Sequence, residues 1–524
     1  MRNPFQILLI VKFTFFIFFG NAESRSFGSL HVALDEPMLN NIYNFTDRML
    51  LKYSVFPFHL NIRPYTFQQL RILLKSFQTE NLSELEKVQV MSYLHCLDTR
   101  EPLVSYKSDS SELSFSLEPG FYFTSRTNSN NRVAQEFAWQ FRAIVTGMIA
   151  KNLSFSTDLR FFVITGQNLP NTLRTEVEIE QINEDTFDTA GLTPSYIQFD
   201  LPWFNLLIGK QNLSWGPGRH GNLLLSAHAM PMEMIYLRRE FDKVAFQAFH
   251  AIGQSPFGNK VLSGHRIDLN ILNGLNLGLA EIVVMGAKFF DPRLLNPVTV
   301  YTISETAGQG LMGSEGESSA GNVLISADFS FDWQSKFKIY SELLIDDFQP
   351  RYRLKSPLHW GSKWGIIVGF QTHDFFKLSN TQFRMEYAFL NQYTYTHIKS
   401  VNTYTHLERP IGHHIGPDAE SIWLKVIKQF NKNLSASISL EQVQTGEQNV
   451  NVPRSPDAPP HEHWQYLSGV ETISKVLQLS IQWIYTNQTR VEIGYKFLEE
   501  ENSGHIKNMT ESLQEYRIKS VYRF

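Results

Sequence analysis

Beyond about residue 111 the chain alternates one apolar residue with one polar or small residue in run after run, the period of two that marks a β-strand with unlike faces. Leu434, Ala436, Ile438 and Leu440 alternate with Ser435, Ser437, Ser439 and Glu441, and Ile325, Ala327, Phe329 and Phe331 with Ser326, Asp328, Ser330 and Asp332. Leu477, Leu479, Ile481, Trp483 and Tyr485 do so against Gln478, Ser480 and Gln482, and Val491, Ile493, Tyr495 and Phe497 against Glu492, Gly494 and Lys496. Soluble β-sandwiches alternate in the same way, with one face on a core and one in water. Three further features favour a transmembrane barrel: runs near the roughly ten residues that cross a bilayer at a tilt, connections that alternate short and long, and aromatics crowded at strand ends.

Short connections fall at 151–152, 201–203, 272–275, 332–334, 431–433 and 487–488, and long ones at 166–192, 292–321, 396–420, 446–462 and 499–511. Tight periplasmic turns and long outer loops produce that asymmetry. The runs, from 113–124 through 381–395 and 465–486 to 513–524, add up to about 18 antiparallel strands, an even number that returns the chain to its starting side. In the last run Tyr516, Ile518, Tyr522 and the terminal Phe524 share one face, while Glu515, Arg517, Lys519 and Arg523 share the other. An alternating strand that ends in phenylalanine resembles the signal by which outer-membrane barrels are recognised by their assembly machinery, which makes that machinery an expected partner of Phe524.

The N-terminus has a different pattern. Arg2 and Lys12 precede an apolar run at 13–19 and then Gly20-Asn21-Ala22, so residues 1–22 read as a secretory signal cut after Ala22. Residues 23–110 read as a small helical periplasmic region ahead of a barrel at 111–524. Within it, Thr66–Gln69 and Ser83–Glu86 have capping-box spacing, in which hydroxyl and N3 side chain satisfy each other's free backbone donors. Leu70, Leu73, Leu74 and Phe77 then fall on one helical face, as do Leu85, Val88, Met91 and Leu94 on the next. With Cys96 the only cysteine, no intramolecular disulfide can form, and Cys96 reads as a buried hydrophobe at the end of the bundle. No later run has the roughly 18 to 20 apolar residues of a membrane helix.

Composition is compatible with such a barrel without requiring it: 43% hydrophobic and 13% aromatic residues, with a net charge of −4. Lipid-facing and lumen-facing residues average out in this way. The near-neutral charge gives nucleic acid no basic surface to bind.

The residues that carry chemistry point to no enzyme and no cofactor. Ser226, His228, Glu233 and Asp242 supply the residue types of a hydrolase triad, but no Gly-x-Ser-x-Gly elbow and no His-Glu-x-x-His helix is present. His397, His406, His413 and His414, with His461 and His463 in another loop, show no regular four-ligand spacing, so they read as solvated loop histidines and no metal site is expected. Segment 215–221 is rich in glycine but lacks the Gly-Lys-Ser/Thr of a phosphate loop. It reads as a tight turn folding an outer loop inward. Segment 308–321 reads as an outer loop of glycine and serine, and Asn152, Asn212 and Asn433 as turn residues.

Ile208-Gly209-Lys210-Gln211 and Trp215-Gly216-Pro217-Gly218-Arg219-His220-Gly221-Asn222-Leu223 resemble segments of the Wzi-type capsule-assembly family. So do Arg63-Pro64, Gly264-His265-Arg266-Ile267-Asp268, Tyr340-Ser341-Glu342-Leu343-Leu344-Ile345-Asp346-Asp347-Phe348 and Ile411-Gly412-His413-His414-Ile415-Gly416-Pro417-Asp418. The resemblance implies a cell outer-membrane protein, embedded in the lipid bilayer, that helps assemble or retain capsular or related surface polysaccharide as it leaves an export complex. On that reading Trp215 is a stacking platform, and Arg219, His220, His413 and His414 face the polymer. The alternative is a channel for ions or small solutes, lined by Arg160, Lys338, Glu342, Glu441, Glu492 and Lys496. Their mixed signs predict no strong ion selectivity. A loop folded into the lumen disfavours the channel.

Overall fold

The computed structural model describes residues 30–33, 41–56, 58–99, 102–108, 111–149, 152–166, 187–190, 193–286, 290–302, 321–333, 335–346, 363–375, 378–452, 466–486 and 488–524. The signal at 1–22, His461, His463 and residues 308–320 lie outside these.

Helices α1 (Ile42–Tyr53), α2 (Phe67–Phe77) and α3 (Glu84–Thr99) precede the barrel. The strands are β1 (Ser111–Asn128), β2 (Val133–Ile149), β3 (Leu153–Gly166), β4 (Ser195–Asp200), β5 (Asn205–Gln211) and β6 (Met232–Glu240). Next come β7 (Val244–Ser255), β8 (Gly258–Leu272), β9 (Leu275–Gly286), β10 (Asn322–Trp333), β11 (Phe337–Asp346) and β12 (Trp364–His373). β13 (Thr381–Leu390), β14 (Ala419–Gln429), β15 (Leu434–Thr445), β16 (Thr472–Ile484), β17 (Thr489–Glu501) and β18 (Thr510–Tyr522) complete the long strands, and two four-residue segments, Val104–Lys107 and Phe187–Ala190, pair alongside β1 and β3. The 18 long strands pair antiparallel with their neighbours, and β18 closes on β1 with Ile518 opposite Phe123.

The alternation read from the sequence decides which side chains face out. On β11, Ile339 and Leu343 are exposed outward, whereas Lys338, Tyr340 and Glu342 are buried in the lumen. The same parity exposes Leu479, Ile481 and Trp483 on β16 and Tyr516 and Ile518 on β18. Hydrocarbon is the solvent that suits this outer face, since every strand finds its hydrogen-bond partners within the closed sheet. Exposed Trp203, Trp333, Phe430, Trp483, Tyr485 and Phe524 gather at the ends of the strands that meet in the short turns, forming one aromatic girdle.

Two expected strands are shorter than read. The run at 381–395 ends at Leu390, because Tyr393 and Tyr395 adopt left-handed backbone (φ 61° and 71°) and turn the chain inward. The run at 465–486 pairs only over Thr472–Ile484.

Both capping boxes form. Thr66 Oγ1 accepts from the Gln69 amide at 3.1 Å while Gln69 Oε1 accepts from that of Thr66 at 2.9 Å, and the Ser83 amide donates to Glu86 at 2.9 Å. Leu70, Leu73, Leu74 and Phe77 are buried as read, and half-buried Cys96 packs against their cluster. The buried face of α3 differs from the expected one: Leu94 is buried as read, but Val88 and Met91 are exposed, and Glu86, Val90, Tyr93 and Leu97 are buried in their place. Glu86 turns the helix this way because Arg48 (3.2 Å), Lys52 (2.8 Å) and the Tyr53 hydroxyl (2.9 Å) neutralise and hydrogen-bond its buried carboxylate.

The bundle lodges in the mouth of the barrel on the short-turn side. Asn41 donates to Gln482, Arg48 to Asn380 and Gln69 to Glu240, and Ser54 meets Ser335, all wall residues near short turns.

Candidate functional site

A chain entering the lumen must find partners for its backbone donors, because packing strips them of water. The outer connection 212–231 enters and finds them on the wall. Glu342 accepts from the amides of Leu223 (2.7 Å) and Leu224 (3.0 Å), and Glu386 accepts from those of Arg219 and His220. Tyr395 and Tyr404, from the connection 391–418, donate to the carbonyls of Leu223 and Leu224, each at 2.6 Å. Leu223, Leu224, Leu225, Tyr395, Tyr404 and Ile411 then form an apolar core inside the barrel. Gly221 is needed there, since a Cβ would stand 2.4 Å from the His413 ring.

This loop meets the N-terminal region in mid-lumen. Ile62–Arg63 pairs antiparallel with Ser214–Trp215, and Asn61 accepts from the Gly216 amide at 2.9 Å. Asp47 on α1 binds Arg63 (2.6 Å) beside the helix, Arg219 (2.9 Å) on the loop and Arg384 (3.2 Å) on β13. Burial opposes the charge on Asp47, but the three guanidinium groups outweigh it and hold the carboxyl below the usual carboxylate range. Plug, loop and wall are therefore joined at one carboxylate. The other side of the lumen is less filled: Gln478 is exposed, and the Arg517 side chain keeps 29% of its surface accessible.

The structure corrects part of the expected site. Trp215 is fully buried, its ring against Phe249 and its Nε1 donating to Gln247 at 2.9 Å, so it offers no stacking face. Arg219 is spent on Asp47, with 3% of its side chain exposed. His413 is buried beneath Gly221, and burial with the neighbouring imidazoles holds it well below the ordinary histidine value. His397 and His406 are buried too rather than solvated, because the inward fold of 391–418 makes each a backbone acceptor, from Lys399 (3.0 Å) and Gln254 (3.1 Å). Of the expected residues, His220 and His414 keep solvent contact at 19% and 31%.

Those two meet Glu441, a β15 wall residue read only as a channel lining. Its Oε1 lies 2.7 Å from His220 Nε2 and 3.4 Å from His414 Nε2. His220 stacks on Trp423 of β14 (4.5 Å, 5°), and exposed His228 lies 4.9 Å from the His414 ring. Trp423 and His228 were missed as site residues; their only sequence signal is the inward parity of Trp423 and the nearness of His228 to the glycine-rich segment. The triad types do not assemble: His228 Nε2 bonds the His220 carbonyl (2.6 Å), and Asp242 sits in the β6–β7 turn at the far end of β6.

Comparison with known proteins agrees with this architecture. In Escherichia coli the solved structure of Wzi, described as an outer membrane protein involved in group 1 capsule assembly and a carbohydrate binding β-barrel, aligns with a TM-score of 0.57 at 15% identity, covering 91% of this chain and 97% of that one. Pseudomonas aeruginosa OpdO (TM-score 0.45, 11% identity, 79% and 97% covered) and OprD (0.43, 9%, 81% and 97%) align too loosely to carry an argument. No curated protein matches. The sequence profile of capsule assembly protein Wzi matches residues 105–510, from ahead of β1 into β18, and the chain therefore belongs to the Wzi capsule assembly family.

Proposed function

We propose that this protein is an outer-membrane barrel that holds capsular or related surface polysaccharide at the cell surface as it emerges from an export complex, without catalysing a reaction on it. The observation that carries this reading is the lumen itself: an outer loop is pinned to wall carboxylates and joined to the helical plug, the arrangement of a surface that holds a ligand rather than of a pore that passes one. Family membership supports it, and the E. coli relative is described as carbohydrate binding. In this reading residues 23–110 serve as the plug and 111–524 as the barrel. Polymer meets His220 and His414, which keep solvent contact, and Trp215, Arg219 and His413 position the loop behind them. Polysaccharide from the same cells, immobilised, is expected to retain the purified folded barrel, and the double variant His220→Ala/His414→Ala to be retained several-fold less. A wild-type barrel that passes through unretained would sink the reading.

Phe524 is proposed as the contact for the outer-membrane assembly machinery. It lies two residues beyond β18, its ring beside Tyr522 (4.7 Å), and its amide reaches the Leu117 carbonyl at the barrel seam (2.9 Å). Removing Phe524 alone is expected to lower the folded protein recovered from the outer membrane several-fold. An unchanged yield would show that the residue is not read.

A further inference from the structure

Three chain segments far apart in sequence converge on one point in the lumen. His220 comes from connection 212–231, His414 from connection 391–418 and Glu441 from the barrel wall. Each offers one ligand atom, and these atoms all lie within 4.8 Å of one another. Zinc bonds of about 2.0–2.2 Å set tetrahedral ligand atoms about 3.3 Å apart. The separation of His414 Nε2 from Glu441 Oε1 is already 3.4 Å, and that of His220 Nε2 is 2.7 Å, a hydrogen bond that needs to open only slightly.

We propose that His220, His414 and Glu441 form a binding site for a borderline divalent transition-metal ion, zinc in the first instance, that ties both lumen connections to the wall. Two imidazoles and one carboxylate are the donor set such ions take, whereas calcium and magnesium want all-oxygen cages. The ligands are held from behind, as metal ligands commonly are. Ser421 Oγ donates to Glu441 Oε1 at 3.1 Å, Trp423 stacks on the His220 ring, and Glu386 fixes the His220 amide. Three protein ligands leave the remaining coordination position to water or to an oxygen of a bound ligand. The His228 ring, 4.9 Å from that of His414 and exposed, is a further imidazole beside the site.

The test uses the full barrel in detergent, stripped with a chelator and titrated with zinc chloride alone by equilibrium dialysis. One tightly held zinc per chain is expected. His414→Ala and Glu441→Gln should weaken it at least about 100-fold, and Ser421→Ala, which only orients the carboxylate, by about 10-fold. His95→Ala, on the exposed end of α3, should leave it unchanged. Cobalt titrated in place of zinc gives a ligand-field spectrum that His414→Ala should abolish. Each variant is first checked for folding by its heat-dependent mobility in a gel, and Glu441→Gln, nearly isosteric, stands in if an alanine variant fails that check. A wild type without a stoichiometric site, or one that survives in both His414→Ala and Glu441→Gln, overturns the proposal.

Discussion

Asp47→Ala is expected to unlatch the helical plug from the lumen loop and the barrel wall in a single step. The carboxylate is the common partner of Arg63, Arg219 and Arg384, and all four side chains are largely withdrawn from water. Removing it leaves three guanidinium groups crowded together without their counter-charge, a change that costs about 3–5 kcal/mol when a buried pair is broken. The strain falls where plug, loop and wall meet. Reconstituted in a planar bilayer, the wild type should be nearly silent and Asp47→Ala should show frequent openings. Arg219→Ala should do less, because Asp47 keeps Arg63 and Arg384. If Asp47→Ala stays as silent as the wild type and unfolds at the same denaturant concentration, this carboxylate does not hold the lumen closed.

Arg266→Met strikes the wall itself. Arg266 on β8 is fully buried and forms forked pairs with Asp268 (2.7 and 2.8 Å) and with Asp328 of β10 (2.6 and 3.1 Å). Gly278 on the intervening strand makes room for the guanidinium: a Cβ there would stand 2.1 Å from Arg266 Nη2. Methionine fills part of the volume and leaves two buried carboxylates facing each other, at a cost of about 3–5 kcal/mol. The variant should lose its folded gel mobility at a clearly lower temperature, and Gly278→Val should resemble it by displacing the same group. The double substitution Asp268→Asn/Asp328→Asn on the Arg266→Met background should recover part of the loss, since it removes the unpaired charges. Equal melting of Arg266→Met and wild type would refute the assignment.

Much of this fold was legible because it is written in short periods. The parity of Ser435–Glu441 and of Glu515–Arg523 places each residue on the lumen or lipid face whatever the tertiary detail. Thr66/Gln69 and Ser83/Glu86 are local devices that need only their own backbone. Where a contact depends on distant segments, no period encodes it. Val88 and Met91 look like a core face until Arg48 and Lys52 are known to draw Glu86 inward. The inward turn at 215–221 was visible in its glycines and proline. The direction of Trp215 and Arg219 was not, because their partners, Gln247 and Asp47, lie on β7 and on the plug. The cluster of His220, His414 and Glu441 was invisible for the same reason: 221 residues separate the first from the last. The segment at 264–268, noted only as a family resemblance, carries the Arg266–Asp268 pair.

The most direct test of the central claim is to delete the gene and measure surface polysaccharide in the cell-bound and culture-medium fractions. A retention barrel predicts that total polymer is unchanged while most of it moves from the cells to the medium, and that the intact gene restores the balance. If both fractions stay as in the parent, the protein does not hold polysaccharide at the surface and the account fails at its centre.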